Sequence, residues 1–505
     1  MKKSLYLLAV ICIRFSQLFA QQTVVSTQDS INTNITVNVN NHAKSDTISI
    51  TLNSPFFDYI LQANTGRHAI KTIPAVIDAN GEYHFMLKTG RSPFHISLFL
   101  SNEKFEDYVI GRGDLAGYLI MPGSDIKINF DGQQRTFTGR GSEVLEVQEQ
   151  IENTDKDSKI LDDNTLTASH TVRWLQREDS LLKVQLNILY NYKSKIPPLA
   201  YSVLRADVVG LSRGAIYYWL SWTQPFMAKR ADLSPSLLAG LDGLAKDPTF
   251  VSLKDPAALS PKYAFYLYEK TKLQVKYQRI INKLPPKMDQ NYFPLIKSEY
   301  EGVLRDKMLA RWITDLAAVN NLHDHEVMEA LELMQTPFYI QIVNRLNNAY
   351  KKGLEITDFN FKNPKGQTVN LAGFKGKVVV IDMWFTGCPE CVVVGNNMPS
   401  IEDQFKNRKD LAFVTISIDR DKTEWLKSIN KNSGKYYVSD KTIYLYTSGT
   451  GTRNPFIERY VPGNGYPQLM IIGKDGKLFS ASLPHPVNEK FKSDFIDVIK
   501  SALTD

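Results

Sequence analysis

Cysteine is scarce in this chain, with three among 505 residues. So few thiols exclude a small disulfide-stapled domain, and a zinc site built from four cysteines has no ligands to draw on. Long apolar runs are missing as well. The best candidate, Leu5 to Ile13, is too short to span a bilayer, and Arg14 at its end is awkward inside one. Positive charge is not gathered into a patch: the formal net charge is +7, with 60 Lys and Arg interspersed among 53 Asp and Glu, and the one acidic stretch, Ser142 to Glu152, reads as a helix. That leaves no basic stripe of the kind that binds nucleic acid. The chain also has no internal repeat and no low-complexity linker, and a hydrophobic content of 43% with 11% aromatics excludes a disordered protein.

The N-terminus is read first for targeting. Met1 to Ala20 carries Lys2 and Lys3, the short apolar core, and Leu18-Phe19-Ala20 before Gln21, the pattern of a signal peptide cleaved after Ala20. A retained N-terminal membrane anchor is the alternative. Ile11 stands before Cys12, where a lipidation signal wants a small residue, which argues against a lipoprotein. The expected compartment is the periplasm. Removal of the leader would leave Cys388 and Cys391 as the only thiols, and an exported chain with one pair and none for stapling has kept that pair for chemistry.

The pair sits in Lys377 to Pro399, KVVVIDMWFTGCPECVVVGNNMP. Val378 to Ile381 is a β-branched run behind a Gly376-Lys377 turn, which suits a strand buried on both faces in mid-sheet. Thr386 and Gly387 break the run. Pro389 has no amide hydrogen and fits the first turn of a helix, so Cys388 falls at a helix N-terminus. There the unpaired amides and the positive end of the helix dipole favour the thiolate, the attacking species in disulfide exchange. Cys391, one turn further in, is shielded and suits the resolving thiol. Two other readings compete. Zinc needs four ligands, and after Cys391 no His occurs until His485. An inert structural bridge over so short a loop would gain little chain entropy.

These residues resemble the thioredoxin-like family of envelope thiol-disulfide oxidoreductases, the TlpA/ResA-like branch, in which a buried strand leads into a Trp-x-x-x-Cys-x-x-Cys segment, here Trp384 to Cys391. Asp382, six residues before Cys388, holds the place of that family's buried carboxylate, which exchanges a proton with the second cysteine. Tyr466-Pro467, then Gln468 to Ile472 and the Lys474-Asp475-Gly476 turn, resembles the family's cis-proline loop and following hairpin. Leu411 to Asp419 resembles its next central strand, with Trp425 in the helix beyond. The resemblance covers Gly353 to Asp505. It implies catalytic roles for Cys388, Cys391 and Asp382, a substrate-docking surface at Tyr466, Pro467, Trp384 and Pro389, and no cofactor or metal. The implied partners are disulfide-bonded envelope proteins or an apocytochrome, with a membrane thiol donor to recharge the pair.

Departures from the family pattern carry expectations of their own. The Trp usual just before the first cysteine is replaced by Gly387, which is expected to uncover Cys388. No Glu occurs in Val392 to Asn397, so proton handling falls to Asp382. Glu390 between the cysteines is an anion that disfavours the thiolate, which predicts a low reduction potential and a reductant.

Elsewhere the length predicts two or three domains, since single cores rarely pass about 250 residues. Residues 21–141 read as an all-β sandwich: Asn80-Gly81 and Asp131-Gly132 lie beside alternating runs such as Ile126 to Phe130. The Pro122-Gly123-Ser124-Asp125 turn resembles the hairpin of β-sandwich domains that precede thioredoxin modules in this branch. Residues 142–352 read as a central α-helical region, with apolar residues at helical spacing, among them Leu309, Trp312, Ile313 and Leu316, and with breaks at Pro197-Pro198, Pro285-Pro286 and Pro337. Residues 353–505 form the C-terminal α/β thioredoxin-like domain, opened by a hairpin from Phe359-Phe361 to Thr368-Asn370. Several motifs have plainer readings. Arg112-Gly113-Asp114 is a turn, His323-Asp324-His325 a solvated turn, and the aromatic stretch Ala215 to Phe226 core packing. Ser448 to Thr452 lacks the Lys of a phosphate loop and reads as a flexible insertion, and His485 as a loop residue.

The expected function is therefore a periplasmic thiol-disulfide oxidoreductase. A thiol peroxidase is the rival enzyme, but Phe385 stands where its Thr is required. An envelope binding or scaffold protein with a secondary redox domain is the rival of another class.

Overall fold

The computed structural model describes residues 31–39, 47–53, 71–89, 91–101, 107–109, 117–131, 134–154, 168–222, 255–281, 291–318, 324–357, 359–430, 439–461, 466–481 and 483–505. The expected leader, the Arg112-Gly113-Asp114 tripeptide, Pro285-Pro286, His323 and the aromatic stretch beyond Trp222 lie outside them. The protein has an N-terminal β-rich region, a helical middle and a C-terminal α/β domain. It divides into two compact units, one ending at Tyr300 and one beginning at Glu301. No helix among the described residues is long and apolar enough to cross a membrane.

In the first unit, one five-stranded sheet runs Arg135–Arg140, Asp125–Phe130, Ile31–Val39, Tyr83–Thr89, Val76–Ile77. The second contains Lys71–Pro74, Thr47–Asn53, Phe94–Ser101 and Asp107–Val109, with Tyr118–Ile120 also on Phe94–Ser101. Alternation does what the period of two dictates: Ile35, Val37, Phe85, Leu87, Ile126 and Ile128 are buried. Helices Pro198–Trp222 and Pro261–Ile281 pack so closely that a Cβ on Gly210 would lie 2.3 Å from the Tyr263 amide nitrogen. Of the aromatic stretch, Ile216 and Tyr217 are core while Tyr218 is exposed.

A buried ionic knot joins this unit's sheet to its helices. His95 on Phe94–Ser101 lies 2.9 Å through Nε2 from Asp207 Oδ2, and Ser260 Oγ donates to Asp207 Oδ1 at 2.6 Å. Burial alone would push the Asp207 carboxyl up, yet Lys262, His95 and Ser260 hold it down at about 2. A carboxylate depressed in the fold stabilises it at pH values above the ordinary carboxylate range, and that contribution disappears as pH falls through about 2. Asp207→Ala removes the charge that faces Lys262 and the acceptor of His95 and Ser260, and is expected to cost about 3–5 kcal/mol in urea unfolding at pH 7. The loss should shrink as pH is lowered from 4 toward 2, and a pH-independent loss would refute the ionised pairing.

The second unit opens with helices Gly302–Ala318, Asp324–Leu333 and Pro337–Tyr350. His325 lies exposed at the start of the second of these, not in a turn. Then comes a seven-stranded sheet in the order Thr368–Asn370, Asn360–Lys362, Thr442–Tyr446, Leu411–Ser417, Val378–Trp384, Gln468–Ile472, Leu478–Ser480. The strand Val378–Trp384 is central, parallel to Leu411–Ser417 and antiparallel to Gln468–Ile472. All seven of its residues are buried because both faces are covered. On one face Val379, Ile381 and Met383 meet Phe359, Phe361, Phe374, Phe456 and Tyr460. On the other Val378 and Val380 meet Val394, Met398 and Ile401 of helix Pro389–Gln404 and Phe495, Ile496 and Ile499 of helix Glu489–Thr504.

Ser448 to Thr452 is a packed turn and not a flexible insertion. Thr447 is buried, its hydroxyl accepts the Gly451 N–H at 3.2 Å, and the turn runs through a 3-10 segment into helix Pro455–Tyr460, capped by Asn454.

Candidate active site

Because strand side chains alternate, Asp382 and Trp384 share the face of Val378 and Val380, the one covered by helix Pro389–Gln404. Trp384 packs with Cys388, Cys391, Trp425 and Tyr446 in a single cluster, in which the Trp425 and Tyr446 rings stack at 4.8 Å. After Trp384 the chain turns sharply, the Cys388 N–H reaching Phe385 O at 3.3 Å. Cys388 is the N-cap of helix Pro389–Gln404, and its Sγ accepts the Cys391 N–H at 3.1 Å. The two cysteines form a disulfide with Cα atoms 5.3 Å apart.

Across the sulfur lies the Tyr466–Pro467 bond, which is cis. Tyr466 O stands 3.7 Å from Cys388 Sγ. Pro467 is buried and leads directly into strand Gln468–Ile472. Burial holds the Tyr466 phenol above its ordinary pKa, and its ring meets Phe385 edge to face at 5.9 Å. Phe385 is 38% exposed, so an apolar rim borders the disulfide. Pro389 is exposed beside it. Trp384 is 1% exposed, so its indole backs the disulfide and cannot reach a docked chain in this form. The structure thus gathers Cys388, Cys391, Trp384 and Tyr466 around the disulfide, with Pro467 buried after Tyr466 and Pro389 exposed after Cys388, while Asp382 is buried on the strand face that carries Trp384.

Two expectations are corrected. Cys388 is 3% exposed and is not uncovered by Gly387. Gly387 has φ 91° and a Cβ there would touch nothing within 4 Å; the residue serves a left-handed backbone, while the aromatic cluster and Tyr466 cover the sulfur. Glu390 is exposed in the first turn of the helix. Water screens it from the sulfur, and an acid in a first turn is favourable to the dipole, so it gives little ground for a low potential. The helix does carry one buried acid, Glu402, but about three turns beyond Cys391. Glu402 accepts from Ser439 Oγ and Thr442 Oγ1, both at 2.5 Å, and anchors the helix's far end.

Four residues of the site had no role assigned from sequence: Thr386, Ser417, Asp419 and Ser428, joined by hydrogen bonds of 2.8 Å just ahead of Cys388. Thr386 and Asp419 both follow the carboxyl ends of adjacent parallel strands, where α/β sheets place their sites, and that placement was a readable signal. His485 lies half-buried in a loop, and burial holds its pKa below the usual value. Metal-ligating side chains converge in the first unit, where Asp78, Glu82 and His84 bring ligand atoms within 4.8 Å of one another. Lys127 already pairs with Glu82 there, and Asp78 takes the N–H groups of Asn80 and Glu82.

Residues 376–478 match the model of the thioredoxin-like family. Among solved structures, the chain is similar to the thioredoxin domain of a thiol-disulfide oxidoreductase from Bacteroides vulgatus, with 22% identity over 30% of this chain and 96% of that one and a TM-score of 0.25. It is also similar to a thiol:disulfide interchange protein from Bacteroides sp., with 23% identity over 30% of this chain and 92% of that one and a TM-score of 0.24. No curated protein matches the chain.

Replacing Glu390 by Gln should shift the glutathione equilibrium of the pair by less than about fivefold, the range of an exposed charge. A larger shift on trapping free thiols would show that Glu390 acts on the sulfur directly.

Proposed function

We propose that the chain is a periplasmic thiol-disulfide oxidoreductase that reduces disulfides of envelope proteins, an apocytochrome awaiting haem attachment among them, and is itself recharged by a membrane thiol donor. The observation that carries this reading is the Cys388 sulfur, held by the Cys391 N–H at a helix N-cap and 3.7 Å from the carbonyl that precedes Pro467.

In the reduced enzyme the Cys388 thiolate attacks one sulfur of the partner's disulfide. That bond breaks, a mixed disulfide forms, and the partner's other sulfur leaves as a thiolate. Cys391 gives its proton to Asp382 and attacks Cys388 Sγ, which expels the second partner thiolate and closes the Cys388–Cys391 bond. Two electrons have moved to the partner, and the donor returns them. The partner's chain lies along the Tyr466-Pro467 loop, against Phe385 and Pro389. Burial of Cys388 supports the reducing direction, since desolvation disfavours a thiolate and a less stabilised thiolate lowers the potential.

Insulin reduction tests the reading. Wild type should precipitate insulin, Cys388→Ser should show no activity, and Cys391→Ser should accumulate the mixed disulfide. An inactive wild type with an intact, reducible pair would favour the scaffold reading. Asp382→Asn should slow release from the mixed disulfide at pH 7 by about a hundredfold, the lower range for loss of general base catalysis. An unchanged release rate removes Asp382 from the mechanism.

A further inference from the structure

We propose that Asp419 is a positioning residue for the attacking sulfur, acting through Thr386. This rests on the oxidoreductase reading and adds a group that it does not use. Asp419 follows strand Leu411–Ser417, and its carboxylate grips the turn ahead of Cys388 with both oxygens. Thr386 N–H donates to Oδ1 and Thr386 Oγ1 to Oδ2, each at 2.8 Å. Ser417 Oγ also donates to Oδ2 at 2.8 Å, and the Asp419 N–H returns to Ser417 Oγ at 3.0 Å. Since the Thr386 hydroxyl gives its proton to Asp419, the Ser428 hydroxyl donates to Thr386 Oγ1 at 2.8 Å. Ser417 and Ser428 are fully buried, so the chain of bonds is anchored on a strand end and on the end of helix Lys422–Ser428.

The need for this grip follows from Gly387. Between Thr386 and Cys388 stands a glycine at φ 91°, with open space where a side chain would sit, so no Cβ restricts the backbone there. The Cys388 N–H bond to Phe385 O closes this turn at 3.3 Å, and Thr386 supplies its side-chain anchor. The two-pronged bond to Asp419 fixes that peptide, and with it the direction from which Cys388 Sγ meets the Cys391 N–H. The Asp419 charge by itself disfavours a nearby thiolate, so positioning and electrostatics push in opposite directions and can be separated.

The test is the alkylation rate of Cys388 by iodoacetamide across pH in the reduced full-length protein, with the modified residue identified by mass spectrometry. Thr386→Val and Asp419→Asn should each slow alkylation at pH 7 by about fivefold, the worth of about one hydrogen bond. The double variant should be no slower than either alone, and Thr386→Ser should restore the wild-type rate and pH midpoint. Faster alkylation in Asp419→Asn would show that its charge, not its grip, is what the sulfur feels. Additive slowing, or no rescue by Thr386→Ser, would likewise overturn the proposal. Alkylation is read without any partner, so an inactive wild type in insulin reduction would sink the oxidoreductase reading and leave this result standing.

Discussion

One N–H group, that of Cys391, meets the sulfur of Cys388 at 3.1 Å, and the second unit is arranged so that this contact persists. The cysteines are carried by the junction of a strand and a helix, and both are immobilised by what covers them. The strand is buried along its whole length. The helix packs through Val394, Met398 and Ile401 and is tied at its far end by Glu402. Motion at the N-cap is therefore left to the few residues between strand and helix. Of these, Thr386 is held by Asp419, and Phe385 by the edge of the Tyr466 ring.

Three effects act on the charge of that sulfur, and their sizes differ. The N–H to a charged acceptor is worth about 1.5–3 kcal/mol. Desolvation of a fully buried group moves a pKa by up to about 3–5 units. The exposed Glu390 contributes at most about 1 kcal/mol. The potential is thus decided between burial and the helix N-terminus. With Cys388 only 3% exposed, burial outweighs the exposed charge of Glu390 in that balance.

How much of this could be read in advance follows from the range of each interaction. Local rules were legible. The β-branched run at Val378, the Pro389 in a first turn and the Asn80-Gly81 and Lys474-Asp475-Gly476 turns depend on neighbouring residues alone, and each specifies its element. Contacts with distant residues are legible only where a family resemblance carries them, as for the cis Tyr466-Pro467 bond beside Cys388; the others are not. Gly387 looked like a missing cover because the cover comes from Tyr466 and Trp425, tens of residues away. Ser448 to Thr452 looked loose because the backbone it packs on, at Arg420, lies on another loop. Asp419 read as a strand end because its partner Thr386 is 33 residues distant.

The same ranking of strengths says where a partner gains access. In the disulfide form Cys388 is covered, while exchange requires a thiolate to approach a sulfur along the S–S axis. Something at the rim has to yield. The Phe385–Tyr466 contact is an edge-to-face pair worth about 0.5–1.5 kcal/mol beyond burial, and Phe385 is already 38% exposed. The Thr386–Asp419 fork is two charge-assisted bonds, each worth about 1.5–3 kcal/mol, and opening it would also carry the sulfur away from its N–H. The aromatic rim is therefore the weaker of the two contacts and the one expected to open first. A partner's apolar side chain can then replace the contact that Phe385 gives up, while the sulfur it attacks keeps its place at the end of the helix.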